Sequence, residues 1–148
     1  MSKNPPVIRY PDAVRPWQHV FEPLYGYLML AERLFESGTE FTGAWNFGPE
    51  DSDLKPVRWV VQNILSLWDD NMSWEIDNNE QLHEAGYLKL DCSKAKAELG
   101  WYPVLNLEKS LKLTIEWYKT CSGKDDMYDF SLDQIKRYKR LRNNNFEK

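Results

Sequence analysis

Apolar positions along this chain recur at two spacings, and most of its regular elements can be drawn from them. Leu24, Leu28, Ala31 and Phe35 fall three or four residues apart, the period of one helix face. The acidic, proline-containing start at Glu22-Pro23 and the stop at Gly38 bound that helix. A second stripe, Val57, Val60, Val61, Ile64, Leu65 and Trp68, predicts a helix beginning near Pro56. Ser93 can cap a short helix that Gly100 stops, and Asn106 can cap the next, whose face carries Leu107, Leu111, Thr114, Ile115 and Tyr118. Ser131 and Gln134 have the spacing of a capping box for a fifth and last helix.

Short extended pieces are expected at 7–9 and 17–20, joined by a turn at Pro11-Asp12, and at 73–76 and 87–90. The run AWNFG at 44–48 is apolar and ends in glycine, as a strand covered on both faces does. The fold class is therefore α+β, mostly helical with a few short strands. One buried strand cannot build a sheet, because it leaves two unpaired edges. A missing sheet is expected from more chain or from another subunit, and with it a homo-oligomer.

At 148 residues there is room for one ordinary domain. Of these, 42% are hydrophobic and 28% charged, a globular and soluble balance. A net charge of -4 argues against nucleic acid or an anionic membrane as partner, since both select a concentrated positive field. The basic positions Lys136, Arg137, Lys139, Arg140 and Arg142 are interrupted by Tyr138 and Leu141 and read as a solvated helix face. Cys92 and Cys121 make neither a metal spacing nor a disulfide framework, so buried or idle thiols in a cytoplasmic protein are expected. No metal site is expected either, and no apolar run approaches the about 18 residues of a membrane span. Seven Trp and eight Tyr are enough both to fill a core and to line a site for a planar or sugar-like ligand.

The chain has no glycine-rich dinucleotide loop, no P-loop and no Tyr-x-x-x-Lys dyad. Two other constellations carry chemistry. The first is 14–23, where Arg15, Trp17, Gln18 and His19 crowd five positions. Arginine suits a diphosphate because its planar fork bonds two oxygens at once. In an extended stretch Arg15, Trp17 and His19 share one face, with Pro16, Gln18 and Val20 on the other. The second is 83–95, where Glu84 can accept ribose hydroxyls just before an extended piece. Structural alternatives stand beside each: Arg15 pairing with Asp12 or Glu22, Trp17 in the core, His19 and His83 as surface or hydrogen-bonded residues, Glu84 solvated.

In order and spacing, RPWQHVFEP, AWNFGPED and YLKLDCSKAKAELGW resemble the carboxy-terminal part of the CDP-sugar dehydratases of the extended short-chain dehydrogenase/reductase family. The first two segments are specific to that branch, whereas DxSKAxxxLGW marks only the superfamily. The resemblance implies a substrate-binding part, residues 1–128, followed by a helical tail, 129–148, of an extended Rossmann-type enzyme whose NAD-binding half is absent. It places Arg15 on the nucleotide diphosphate with Trp17, Gln18 and His19 near it, Asn46 at the border of the nucleotide-sugar pocket, and Glu84 on the ribose. No catalytic residue is implied here, and no cofactor is expected to bind this chain alone. The reaction implied for the whole enzyme converts CDP-glucose to CDP-4-keto-6-deoxyglucose using bound NAD, and the chain by itself is expected to be inactive. Relatives with an Arg shortly before the Glu84 position have Gln81 or His83 in this stretch, which leaves a second phosphate clamp open. The alternatives are a related nucleotide-sugar epimerase or reductase, or a non-catalytic binding or assembly module.

Overall fold

In a computed structural model the chain is described over residues 5–69, 71–77, 79, 84–123 and 126–146. Among the described residues five α-helices carry the fold: α1 (Phe21–Ser37), α2 (Val57–Trp68), α3 (Ser93–Leu99), α4 (Leu107–Cys121) and α5 (Tyr128–Phe146). Four two-residue strands among the same residues tie the loops together. They are β1 (Val7–Ile8), β2 (Val14–Arg15), β3 (Lys55–Pro56) and β4 (Glu75–Ile76). β1 pairs with β4 in parallel, Val7 opposite Glu75, and β2 pairs with β3 antiparallel, Arg15 opposite Lys55. The mixed helix-and-strand class expected from the sequence is what forms. Among the described residues no helix is long and apolar enough to cross a membrane.

The interior has two apolar clusters. Phe47, Cys92, Ala95, Leu99 and Trp101 form the first, against Tyr25, Met29 and Leu30 of α1. Gly26 lets α1 approach this closely, because a Cβ there would overlap the Phe47 ring. Gly100, at φ +65°, ends α3 in the left-handed conformation, and the Trp101 N–H returns to the Ala95 carbonyl (3.1 Å). That turn delivers the fully buried Trp101 ring onto Phe47, with centroids 5.1 Å apart. The second cluster joins Val60 of α2 to Leu107 and Leu111 of α4, with Trp17, Trp59 and Ile64 around it. The stripes read for α2 and α4 are thus the ones that pack, except at Tyr118, which is half exposed, and the Asn106 side chain caps α4 by accepting the Lys109 N–H (3.0 Å).

Several local expectations are corrected. Residues 44–48 form no strand: the Phe47 carbonyl accepts the Gln18 side-chain N–H (2.7 Å) and Phe47 itself wedges against Gly26. With no strand beside it, that backbone is satisfied by a side chain instead. The 17–20 piece is not extended, because the Trp17 N–H bonds back to the Arg15 carbonyl (3.0 Å) across Pro16. The 87–90 piece is reduced to a single bridge between Tyr87 and Val14. Asp91, rather than Ser93, receives the first free N–H at α3, that of Ser93 (2.9 Å). The last helix starts at Tyr128, whose N–H goes to Asp126 (2.8 Å), so Ser131 and Gln134 lie inside it and turn to α4.

Two corrections concern whole faces. The α1 face of Leu24, Leu28, Ala31 and Phe35 points to solvent, and it is the opposite face that packs. The basic run near the end is not wholly solvated. Arg142 is buried, and with Gln134 and Tyr138 it fixes α5 to the rest of the chain. Its partner is Glu22, a fully buried carboxylate that had read as a plain first-turn acid.

Candidate functional site

A two-residue strand is enough to bring distant chemistry together here. The Val14 N–H donates to the Gly86 carbonyl (2.8 Å) and the Leu88 N–H donates to the Val14 carbonyl (3.1 Å), so 84–88 runs alongside β2. In consequence Glu84 and Arg15, far apart in sequence, form an ion pair through Oε1 and Nη2. The Arg15 side chain is only 18% exposed, against 44% for Glu84. The guanidinium is therefore held in a fixed place while its carboxylate partner faces water. Neither of the simpler partners is used: Asp12 pairs with Arg58 (2.6 Å) and Glu22 with Arg142 (3.4 Å). A small recess lined by Arg9, Tyr10, Asp12, Glu84 and Gly86 opens on the Glu84 side, and Arg15 is not part of its lining.

The other named residues of the first constellation diverge, because the tight turn at Pro16 breaks the alternation that would have put Arg15, Trp17 and His19 on one face. Trp17 packs into the α2–α4 cluster and donates its indole N–H to the Lys55 carbonyl (3.1 Å). Gln18 reaches the Phe47 carbonyl. His19 is buried at the wall of a cavity of about 340 Å³ shared with Thr114, Trp117, Ser131 and Gln134 of α4 and α5. Its Nδ1 accepts the Phe21 N–H (3.2 Å), which leaves the proton on Nε2. Asn46 is exposed and donates to the Asp91 carbonyl (3.1 Å). Asp91 lines a polar cleft in which Lys89 pairs with Asp51 (2.5 Å) and Lys96 with Glu50 (2.8 Å). His83 and Gln81 lie outside the described residues.

Burial lowers the pKa of His19, so the fold holds it neutral. A histidine with a depressed folded pKa contributes stability that is present above its unfolded value, 6.5, and lost as the pH falls through the folded value. Urea midpoints measured at descending pH should therefore fall more for the wild type below 6.5 than for His19→Gln, which has no proton to take up. Identical pH profiles would show that His19 is not kept neutral by the fold.

The Glu22 centre was missed from sequence. Its signals, an acid beside a proline and a late arginine, are the same ones that surface helices show. Among the described residues no three His, Cys, Asp or Glu side chains gather as a metal site would require.

No family model matches the chain. It is similar over 132 residues, at 46% identity, to a CDP-glucose 4,6-dehydratase of Salmonella typhimurium; the match takes in 89% of this chain and 37% of that protein. A dTDP-glucose 4,6-dehydratase of Haemophilus influenzae is 30% identical over 80% of this chain and 36% of its own length. A dTDP-glucose 4,6-dehydratase of Xanthomonas campestris is 34% identical over 41% of this chain. The chain thus spans little more than a third of the length of the first two relatives, and in the Salmonella enzyme the segment it matches is the carboxy-terminal one.

Proposed function

We propose that this chain, homologous to the carboxy-terminal part of nucleotide-sugar 4,6-dehydratases, contributes the nucleotide-binding share of such an enzyme's site, with CDP-glucose as substrate. The observation that carries the reading is the meeting of Arg15 and Glu84 across the sequence. A guanidinium presents two parallel N–H groups to a diphosphate, and a carboxylate accepts two ribose hydroxyls. Diphosphate and ribose are adjacent in a nucleoside diphosphate, so a cation and an anion in contact match that ligand. In the free chain each of the two neutralises the other, and ligand entry separates them. Asn46 borders the sugar side of the site, while Trp17, Gln18 and His19 hold the backbone around Arg15 in place.

The reaction of the whole enzyme is an oxidation at the sugar's C4, loss of water across C5 and C6, and return of the hydride at C6. NAD supplies that hydride chemistry. Among the described residues α1, α2, α3 and α4 start after Val20, Pro56, Cys92 and Asn106, and none of these four follows a glycine-rich turn, so this reading places the NAD contacts outside them. No step is therefore assigned to this chain beyond holding the nucleotide.

Removing Glu84 has two opposing effects. It frees Arg15 for phosphate and it loses the ribose. Comparing two ligands cancels the first effect. In Glu84→Ala the preference for CDP over inorganic pyrophosphate should fall by about tenfold or more, the worth of a hydrogen bond to a charged group. Isothermal titration of both ligands measures this. An unchanged preference would mean that Glu84 only competes for Arg15 and is no ribose ligand.

A further inference from the structure

The segment that carries Arg15 also walls a second concave place. Gln18, His19 and Phe21 form one side of the cavity of about 340 Å³, and residues of α4 and α5 form the other. Val20 and Tyr118 on its wall are about half exposed, so it opens to solvent. At about 30 Å³ per water it is several times larger than a single bridging water needs. Among the described residues no charged side chain lines it.

The polar groups of that wall fall into two sets. Those of the first are bound within the protein. The Thr114 hydroxyl donates to the Ser110 carbonyl (2.8 Å), the Trp117 indole N–H to the Ser131 hydroxyl (2.9 Å), and Gln134 Nε2 to the Leu113 carbonyl (3.0 Å). Those of the second have no partner among the described residues. His19 is 7% exposed, and with Nδ1 accepting the Phe21 N–H, its Nε2–H is the group left over. Gln134 is 2% exposed, and with its Nε2 engaged, Oε1 is left over. Gln18 donates through Nε2 to the Phe47 carbonyl, and its buried Oε1 accepts nothing. Buried polar groups are costly to leave unpaired, so a donor and two acceptors around one cavity call for a partner from outside the protein.

The rest of the wall decides what that partner is. Aromatic rings meet edge to face on both sides, His19 with Phe21 (centroids 4.5 Å apart) and Trp117 with Tyr118 (5.3 Å), which suits a flat molecule. A charged ligand would lose its water and find no counter-charge, and this excludes a phosphate. We propose that the cavity binds a small uncharged aromatic amide or lactam, whose carbonyl accepts from His19 Nε2 and whose N–H donates to a glutamine carbonyl. It is a second site: Arg15 and Glu84 are not part of its wall, and the proposal does not rest on nucleotide binding.

Benzamide is the probe, titrated into the isotope-labelled chain and followed by NMR, with Trp117→Phe identifying the Trp117 indole signal. A saturable shift of that signal is expected. Toluene keeps the ring without the amide, and benzoate adds a charge. Both should bind at least about fivefold more weakly, the worth of an ordinary hydrogen bond. His19→Phe keeps a ring and loses the N–H, so it should weaken benzamide by about the same factor and leave toluene unchanged. Should that variant fail to fold, the three probes on the wild type decide alone. No shift at the solubility limit of benzamide means that the cavity holds only water, and overturns the proposal. Equal binding of toluene or benzoate, or of benzamide by folded His19→Phe, overturns it as well. Saturating CDP should leave the benzamide shift in place; its loss would put benzamide in the nucleotide site and likewise overturn the assignment.

Discussion

Replacing Glu22 by alanine should lower the unfolding free energy by about 3–5 kcal/mol, the cost of leaving a buried ionic partner unpaired. Glu22 is fully buried, and both of its oxygens are occupied. Oε1 accepts the N–H groups of Val104 (3.0 Å) and Leu105 (2.8 Å), while Oε2 accepts the Tyr138 hydroxyl (3.0 Å) and faces Arg142 (3.4 Å). One side chain thus joins α1, the loop before α4, and α5. Burial pushes the Glu22 carboxyl up from its ordinary range, and the two backbone donors, Tyr138 and Arg142 all work against that rise. Alanine would strand a buried guanidinium and two buried N–H groups together.

Arg142→Ala should cost less, because Glu22 would keep three of its four partners. What it loses is the contact of the guanidinium over the Tyr25 ring (3.7 Å) and its bond to the Tyr102 carbonyl (3.1 Å). Since a small domain is stable by only about 5–15 kcal/mol, the Glu22→Ala protein should be visibly less cooperative or unfolded at moderate urea. Equilibrium urea unfolding of the two variants and their double gives the order and the coupling. A Glu22→Ala loss below about 1 kcal/mol, or strict additivity with Arg142→Ala, would mean that the centre is not one unit.

How far the sequence could be read depended on what each signal rests on. The helices α2 and α4, the stop at Gly100 and the cap at Asn106 were legible, since a stripe of branched apolar residues and a capping side chain act within one or two turns. The AWNFG run was not, because strand pairing needs a neighbour and none of the described residues pairs with it as a strand. The α1 stripe shows the limit of periodicity. Leu24, Leu28 and Phe35 announce an apolar face correctly, but the pattern does not say whether the partner lies within the same chain. Glu22 and Arg142 were misread for a related reason. A charge far along the chain is solvated or buried according to a single distant partner, which no local spacing reveals.

The candidate site divides in the same way. Arg15 and Glu84 were chosen separately, each for its chemistry, and the short pairing of 84–88 with β2 brings them into contact. The face shared by Arg15, Trp17 and His19 was inferred from strand alternation and fails at the turn across Pro16. Loss of Arg15 should then be the largest single effect on binding. Its side chain is only 18% exposed, so screening by water is weaker than at the open surface and a diphosphate would gain more from it than from a fully exposed cation. Charge-assisted hydrogen bonds of this kind are worth about 1.5–3 kcal/mol, which corresponds to roughly 10–150-fold in affinity. Arg15→Lys should recover only part of this, since an ammonium lacks the two-pronged geometry. Both substitutions leave Trp17, Gln18 and the strand pairing in place, so a binding loss need not mean a folding loss.

The most direct measurement is an isothermal titration of CDP-glucose into the wild-type chain and Arg15→Ala, with far-UV circular dichroism confirming that both are folded. The account predicts saturable one-to-one binding by the wild type and at least about tenfold weaker binding by the variant. Equal affinity in the two folded proteins, or no binding by the wild type at millimolar CDP-glucose, would contradict it.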